Sequence, residues 1–182
     1  MPMLGRISPT EAPDDIADLY AKVRKTIGAV PSMVTYMANS PAALTAWLGL
    51  IEALKGGSLP AAVQERLALA TAEYNECSYC LSAHTFVAKN VVKMEPAEIS
   101  RARDAASENP HTDAILKLSD AVARGRGNVD PTAVDDARAA GVTDGEIAEV
   151  IAHLALNTLT NYFNILVDTP NEYPELVTAR AR

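Results

Sequence analysis

Residues 65–84 read ERLALATAEYNECSYCLSAH, and the way this stretch folds decides how the rest of the chain is read. Apolar positions at Val63, Leu67, Ala70 and Tyr74 recur at helical intervals, so Glu65 rides on one helix. A second helix opens at about Asn75 or Glu76 and runs to Asn90, carrying both cysteines of the protein, Cys77 and Cys80, with His84 four residues past the second thiol. If residues 77–84 are helical, the step of about 100° per residue puts His84 nearly in line with Cys77 and Cys80 about 60° around the same face. Along the axis Cys80 and His84 lie about 6 Å apart, within side-chain reach, whereas Cys77 and His84 lie about 10 Å apart.

Each thiol then has its own reason to ionise. His84 serves Cys80 directly, while Cys77 sits in the first helical turn, where unpaired backbone N–H groups favour an anion. A disulfide between them is feasible but distorts the turn. Cβ atoms at i, i+3 stand about 5–6 Å apart, against about 3.5–4.5 Å across a relaxed bridge, and a bond of that kind is readily reduced. Glu65, on the preceding helix, approaches the thiols or His84 if the two helices pack antiparallel, as a proton acceptor or as the group that orients the imidazole. Tyr79, inside the CxxC, packs, and its hydroxyl lines the site. The same residues also make half of a zinc site. A structural zinc takes four protein ligands, and Cys77, Cys80 and His84 leave the fourth to His111, His153 or a carboxylate.

Working outward, proline and glycine punctuate a series of amphipathic patterns, and no stretch alternates as a half-buried strand does, which predicts an all-α fold. Ile16, Leu19, Tyr20, Val23 and Ile27 mark a first helix ending at Gly28, and residues 31–40 form a short helix or turn. Pro41 opens a helix stopped by Gly56 and Gly57, Ser58 is a candidate cap, and Pro60 sits inside the start of the Glu65 helix. Shorter helices follow at about 95–106, 111–124 and 131–140, with the RGRGN run at 124–128 as a helix stop and loop. His111 reads as a turn or capping residue. Thr143 and Glu146 make a capping box at the head of a long last helix, apolar through Ile147, Val150, Ile151, Leu154, Leu156, Leu159, Phe163 and Leu166. A helix apolar around so much of its circumference is central to the core or buried between subunits.

The 182 residues are read as a single domain with residues 1–12 a loop-like arm. Nearly half the residues are apolar and the formal charge is −7 with scattered Lys and Arg, which argues against nucleic acid or an anionic membrane as partner. Residues 150–167 are interrupted by His153, Asn157, Asn161 and Asn164, too polar for an isolated span, and residues 1–15 have no apolar core of a signal peptide. The expectation is a soluble cytoplasmic protein, a compartment in which a CxxC is catalytic or metal-binding rather than a staple.

The run from Glu65 to His84, E-x11-C-x2-C-x3-H with Asn75 before the first cysteine and Ala83 before the histidine, resembles the AhpD-like alkylhydroperoxidase branch of the carboxymuconolactone decarboxylase family. The stretch NYFNILVDTPNEYP, 161–174, is similar to such proteins too. The resemblance implies an all-helical fold, a homo-oligomer such as a trimer or hexamer, and a peroxidase cycle using two cysteines without a cofactor. By that resemblance Glu65, Cys77, Cys80 and His84 inherit the proton-relay and redox roles, with a hydroperoxide as substrate and a dithiol or protein reductant as partner. The best-known pattern carries a histidine inside the CxxC, where this chain has Tyr79, which alters the relay. Decarboxylase members lack the two thiols, so that activity is not expected. On this reading Cys80 attacks and Cys77 resolves; the alternatives are a protein disulfide reductase or redox sensor without peroxide turnover, and a zinc-binding or structural oligomer.

Overall fold

The structure, a computed structural model, describes residues 3–180. Among these, nine α-helices follow one another with no strand: α1 (Asp14–Ile27), α2 (Ser32–Met37), α3 (Pro41–Lys55), α4 (Ala61–Tyr74), α5 (Ser78–Val87), α6 (Pro96–Arg103), α7 (Pro110–Gly125), α8 (Pro131–Ala139) and α9 (Asp144–Val167). The all-α expectation therefore holds. Sequence chemistry explains the boundaries. Helices α3, α6, α7 and α8 begin on prolines, whose missing N–H costs nothing in a first turn, and Ser40, Asn109 and Asp130 accept the first orphan N–H groups of α3, α7 and α8. Gly28, at φ +86°, ends α1 in the left-handed region. The RGRGN run ends α7 in the same way, with Arg126 and Gly127 both left-handed.

Helix α4 is the centre of the packing and touches α5, α6, α7 and α9. One cluster gathers Val23, Met37, Leu44 and Leu48 of α1 to α3 around Cys77, Cys80 and Leu81. A second joins Leu67 to Ile115, Leu116 and Val150 of α7 and α9, and a third seats α6 through Ile99 and Ala102 on Leu69. The N-terminal arm runs without helix to α1 and is pinned at Ile7, whose N–H donates to Thr35 and whose carbonyl accepts from the Tyr20 hydroxyl. Residues 1 and 2 of the expected arm lie outside the described residues.

Three local expectations are corrected. Ser58 caps nothing: its N–H and hydroxyl, with the Leu59 N–H, donate to the Glu149 carboxylate of α9. That carboxylate fills the space beside Gly57, where a Cβ would come within 2.6 Å of Oε2, so the loop needs glycine to approach α9. Pro60 precedes α4 rather than lying inside it. The cysteine helix starts later and ends earlier than its pattern indicated, because Cys77 is its cap and residues Ala88–Val92 widen into a π-helical turn closed by left-handed Lys93.

Helix α9 is capped as expected, Thr143 accepting from the Glu146 N–H while Glu146 accepts from the Thr143 N–H. Its orientation differs from a simple amphipathic helix. His153, Asn157, Asn161 and Asn164 are buried, while Ile151, Leu159, Tyr162, Ile165 and Leu166 are exposed. The spacing of four, four and three residues turns a polar file inward and leaves an apolar stripe outside. Removing the cap by Thr143→Ala should lower unfolding stability by about 1 kcal/mol, and Leu116→Ala, at a fully buried site, by about 2–5 kcal/mol, both read from urea midpoints.

Candidate active site

The site is built on the three-residue turn, Asn75 to Cys77, between α4 and α5. Glu76, at φ +57°, takes the left-handed position that ends α4. Its N–H donates to the Glu73 carbonyl and the Cys77 N–H to the Ala72 carbonyl, the paired bonds of a Schellman ending. Cys77 thus gives its backbone to α4 and its side chain to α5: it is the N-cap, with extended backbone, and its Sγ accepts the Cys80 N–H at 3.3 Å. This corrects its placement in the first turn. The thiol lies against the positive end of α5 as argued, but through a direct hydrogen bond at the cap. Cys77 and Cys80 are joined as a disulfide, with Cα atoms 5.3 Å apart, and both are buried.

Glu65 and His84 meet across the α4–α5 pair, His84 Nδ1–H donating to Glu65 Oε1 at 2.8 Å. An ionised carboxylate accepts only, so the proton sits on Nδ1 and Nε2 is left as the nitrogen that exchanges a proton. Burial pushes the imidazole down, but the charge of Glu65 and its hydrogen bond outweigh that effect and leave His84 above its ordinary value of 6.5. Cys80 and His84 are both on α5, one turn apart. Tyr79 is buried, with its ring edge-on to Tyr173 at 5.6 Å and its hydroxyl donating to Glu172 at 2.7 Å. Burial, Tyr173 and Glu172 together hold the phenol far above its usual range, so Tyr79 keeps its proton.

Several partners had not been singled out for the site. Asn164 of α9 donates from Nδ2 to Cys80 Sγ at 3.4 Å, and Asn75 donates to Asn161 Oδ1 at 3.0 Å. The signal was present, since these are two of the four polar residues that interrupt the apolar last helix; their regular spacing marks a buried face. The segment after α9 is the other omission. Glu172 accepts from Tyr79 and from the Ser32 N–H and hydroxyl, the Val177 N–H donates to Ser82 Oγ, and the Arg180 N–H donates to Glu73. Residues 168–180 therefore strap the start of α5. Between strap, α9 and turn lies a cleft of about 520 Å³, floored by Cys77, Ser78 and Tyr79 and walled by Asn164, Asp168 and Thr169.

The two histidines considered as a fourth zinc ligand are placed for other work. His111 on α7 pairs with Glu146 at 2.9 Å, tying α7 to the α9 capping box, and His153 is buried on α9, where burial pushes its pKa down. Among the described residues no group of three His, Cys, Asp or Glu side chains gathers to hold a metal ion.

The all-helical fold around a helix-capping CxxC has counterparts among known proteins. Residues 41–123 match the carboxymuconolactone decarboxylase family. An alkyl hydroperoxide reductase of Mycobacterium tuberculosis is 32% identical over 80 residues, 43% of this chain and 23% of that protein, so the match spans under a quarter of the relative's length. An AhpD-core, peroxidase-related protein from Ralstonia eutropha superposes with a TM-score of 0.81 at 23% identity, covering 94% of this chain and 92% of the other. The debrominase Bmp8, solved with 2,3,4-tribromopyrrole, gives 0.76 at 18% identity over 93% and 91%. Residues 41–123 are thus similar to the carboxymuconolactone decarboxylase family, and the fold is that of the AhpD core.

The Glu65–His84 pair sets a pH dependence. Because the folded pKa of His84 is raised, the pair's contribution to stability is complete below pH 6.5 and is lost as pH rises through the raised value. In an NMR titration His84 should have a midpoint above 6.5, and Glu65→Gln should lower it, since burial then acts with less opposition. Equal midpoints in the two proteins would show that the pair is uncoupled.

Proposed function

We propose that this protein is a thiol-dependent peroxidase that reduces hydroperoxides through a Cys77–Cys80 dithiol–disulfide cycle. One observation carries the reading: a disulfide at the mouth of a helix, bordering a cleft, with His84 one turn along the same helix and paired there with Glu65 of α4. The similarity of part of the chain to an alkyl hydroperoxide reductase and to the carboxymuconolactone decarboxylase family supports oxidoreductase chemistry of this kind in general terms.

In the reduced state His84 Nε2 takes the Cys80 proton, a transfer favoured by the neighbouring Glu65 carboxylate, and leaves a thiolate beside an imidazolium. The thiolate attacks the terminal oxygen of R–O–O–H. An S–O bond forms, the O–O bond breaks, sulfur is oxidised to sulfenic acid, and the departing alkoxide takes the proton from His84 to leave as ROH. Cys77 then attacks the sulfenic sulfur, forming the disulfide and releasing water. A dithiol reductant, small or protein-borne, supplies two electrons and two protons to reopen it. Cys77 faces the cleft, which suits it to meet that reductant. Tyr79 takes no part in proton transfer on this reading; its phenol holds the strap through Glu172.

The apolar stripe of α9 supports assembly. Tyr162, Ile165 and Leu166 lie on one exposed face, a surface that a second copy of the chain covers in a homo-oligomer. The same cleft also suits a disulfide reductase acting on another protein's thiols, the reading favoured if exchange is fast and peroxide turnover negligible.

The deciding experiment is peroxide-dependent oxidation of a panel of dithiols by wild type and by Cys77→Ser and Cys80→Ser. Turnover should vanish in both variants, and mass spectrometry after peroxide treatment should trap sulfenic acid on Cys80 in Cys77→Ser. Sulfenic acid found only in Cys80→Ser would reverse the roles. By light scattering the wild type should be oligomeric, and Leu166→Glu should lower its mass; a monomeric wild type would reject the assembly.

A further inference from the structure

The thiol read as the attacking group is not held by the Glu–His pair alone. Cys80 sits on α5, and the one polar side chain seen in contact with its sulfur comes from α9: the Asn164 amide, at 3.4 Å. Orientation of that amide is set by chemistry. A disulfide sulfur carries no hydrogen, so only the NH2 end of the amide finds a partner there, and Oδ1 points elsewhere. That oxygen is buried and has no partner within the protein, although Asn164 as a whole is 2% exposed and lines the cleft. A buried amide with one edge on the Cys80 sulfur and a second, unpartnered edge buried beside the cleft is costly unless something completes its hydrogen bonding.

We infer that Asn164 is a catalytic residue of this site, donating Nδ2–H to the Cys80 thiolate and accepting at Oδ1 the O–H of the incoming hydroperoxide. This rests on the peroxidase reading only in its second half. On reduction of the disulfide, Cys80 gains a full negative charge, and the neutral contact becomes a charge-assisted hydrogen bond of about twice the strength. The acceptor edge orders the other reactant: the hydroperoxide donates its hydrogen to Oδ1, which brings the oxygen bearing that hydrogen next to the sulfur. That oxygen is the one the sulfur attacks, and its hydrogen stays with it in the sulfenic acid, so no proton passes through the amide. Thr169 Oγ1, also buried and unpartnered at the cleft wall, adds a second polar group on the substrate side. The ionisable groups around the dithiol, Glu65 and His84 behind it, Tyr79 and Glu172 beside it and Asp168 at the end of α9, are left in place by a change at Asn164.

The test separates this role from the function as a whole, because the thiolate is measured without peroxide. In a Cys77→Ser background Cys80 is the only thiol, and its ionisation is followed by ultraviolet thiolate absorbance and by the pH dependence of alkylation. Asn164→Ala should raise the midpoint by about one to two pH units, the loss of one hydrogen bond to a charged group. Asn164→Asp, nearly isosteric, should raise it at least as far, because a carboxylate repels the thiolate. In the protein with both cysteines, the acidic limb of kcat/KM for an alkyl hydroperoxide should move by the same interval, and KM should rise in Asn164→Ala. A Cys80 midpoint unchanged in both variants overturns the inference even where peroxide turnover is present. Should the alanine variant fail to fold, the aspartate variant alone decides, a downward or absent shift rejecting the thiolate contact. If the midpoint moves but the parent protein turns over no peroxide, the peroxidase function and the Oδ1 half of the inference fall together, and the thiolate contact stands.

Discussion

Two amides on one helix hold the reactive turn in place. Asn161 of α9 accepts a hydrogen bond from Asn75, the first residue of the turn, and Asn164 donates one to Cys80 in the first turn of α5. A turn of only three residues, one in the left-handed region, has little of its own to fix its direction. What fixes it is a pair of polar contacts to an element more than eighty residues away, at least one of them buried. The inverted character of α9 follows: its polar file must face the dithiol, so its apolar residues are left for the outside.

The polar groups around the disulfide divide by what they can do with a proton. His84, held above its ordinary value by Glu65, can change charge and is suited to carry one. Asn164 cannot titrate and is suited to hold a charge that appears elsewhere. Tyr79, buried against Tyr173 and Glu172, is kept protonated across the accessible range and serves as a tie. The residue inside the CxxC has thereby become part of the scaffold, which is how a tyrosine fits where the best-known family pattern has a histidine.

Much of this was legible beforehand, and for identifiable reasons. Helices whose ends are marked by proline, glycine or a capping box were placed within a few residues, because those signals act through the local backbone. The meeting of Glu65 with His84 was readable as a consequence of two helices folding back across a short turn. What could not be read were contacts made by groups with no local rule. Ser58 has the chemistry of a cap, yet an unforeseen carboxylate on α9 takes its hydrogen bonds. Cys77 reads as a first-turn residue because the helical pattern extends back to Asn75 or Glu76, and in the structure it serves as the cap. The asparagines of α9 were noticed only as interruptions of an apolar run; that they line up was visible, but not what they face. Residues 168–180 have no periodicity at all, and their course is set wholly by partners distant in sequence.

That last segment gives the site a history as well as a shape. The disulfide spans 3 residues and the Glu65–His84 pair 19, so the chemical group is assembled from neighbours. The strap reaches back 93 residues from Glu172 to Tyr79, 95 from Val177 to Ser82 and 107 from Arg180 to Glu73. Closing loops of that length is entropically the dearer step, and their contacts form after local ones. During synthesis, the thiol hairpin is complete while the wall of its cleft has yet to leave the ribosome. The pair of thiols is therefore made before its enclosure, and residues 168–180 are the ones that make an open turn into a walled site.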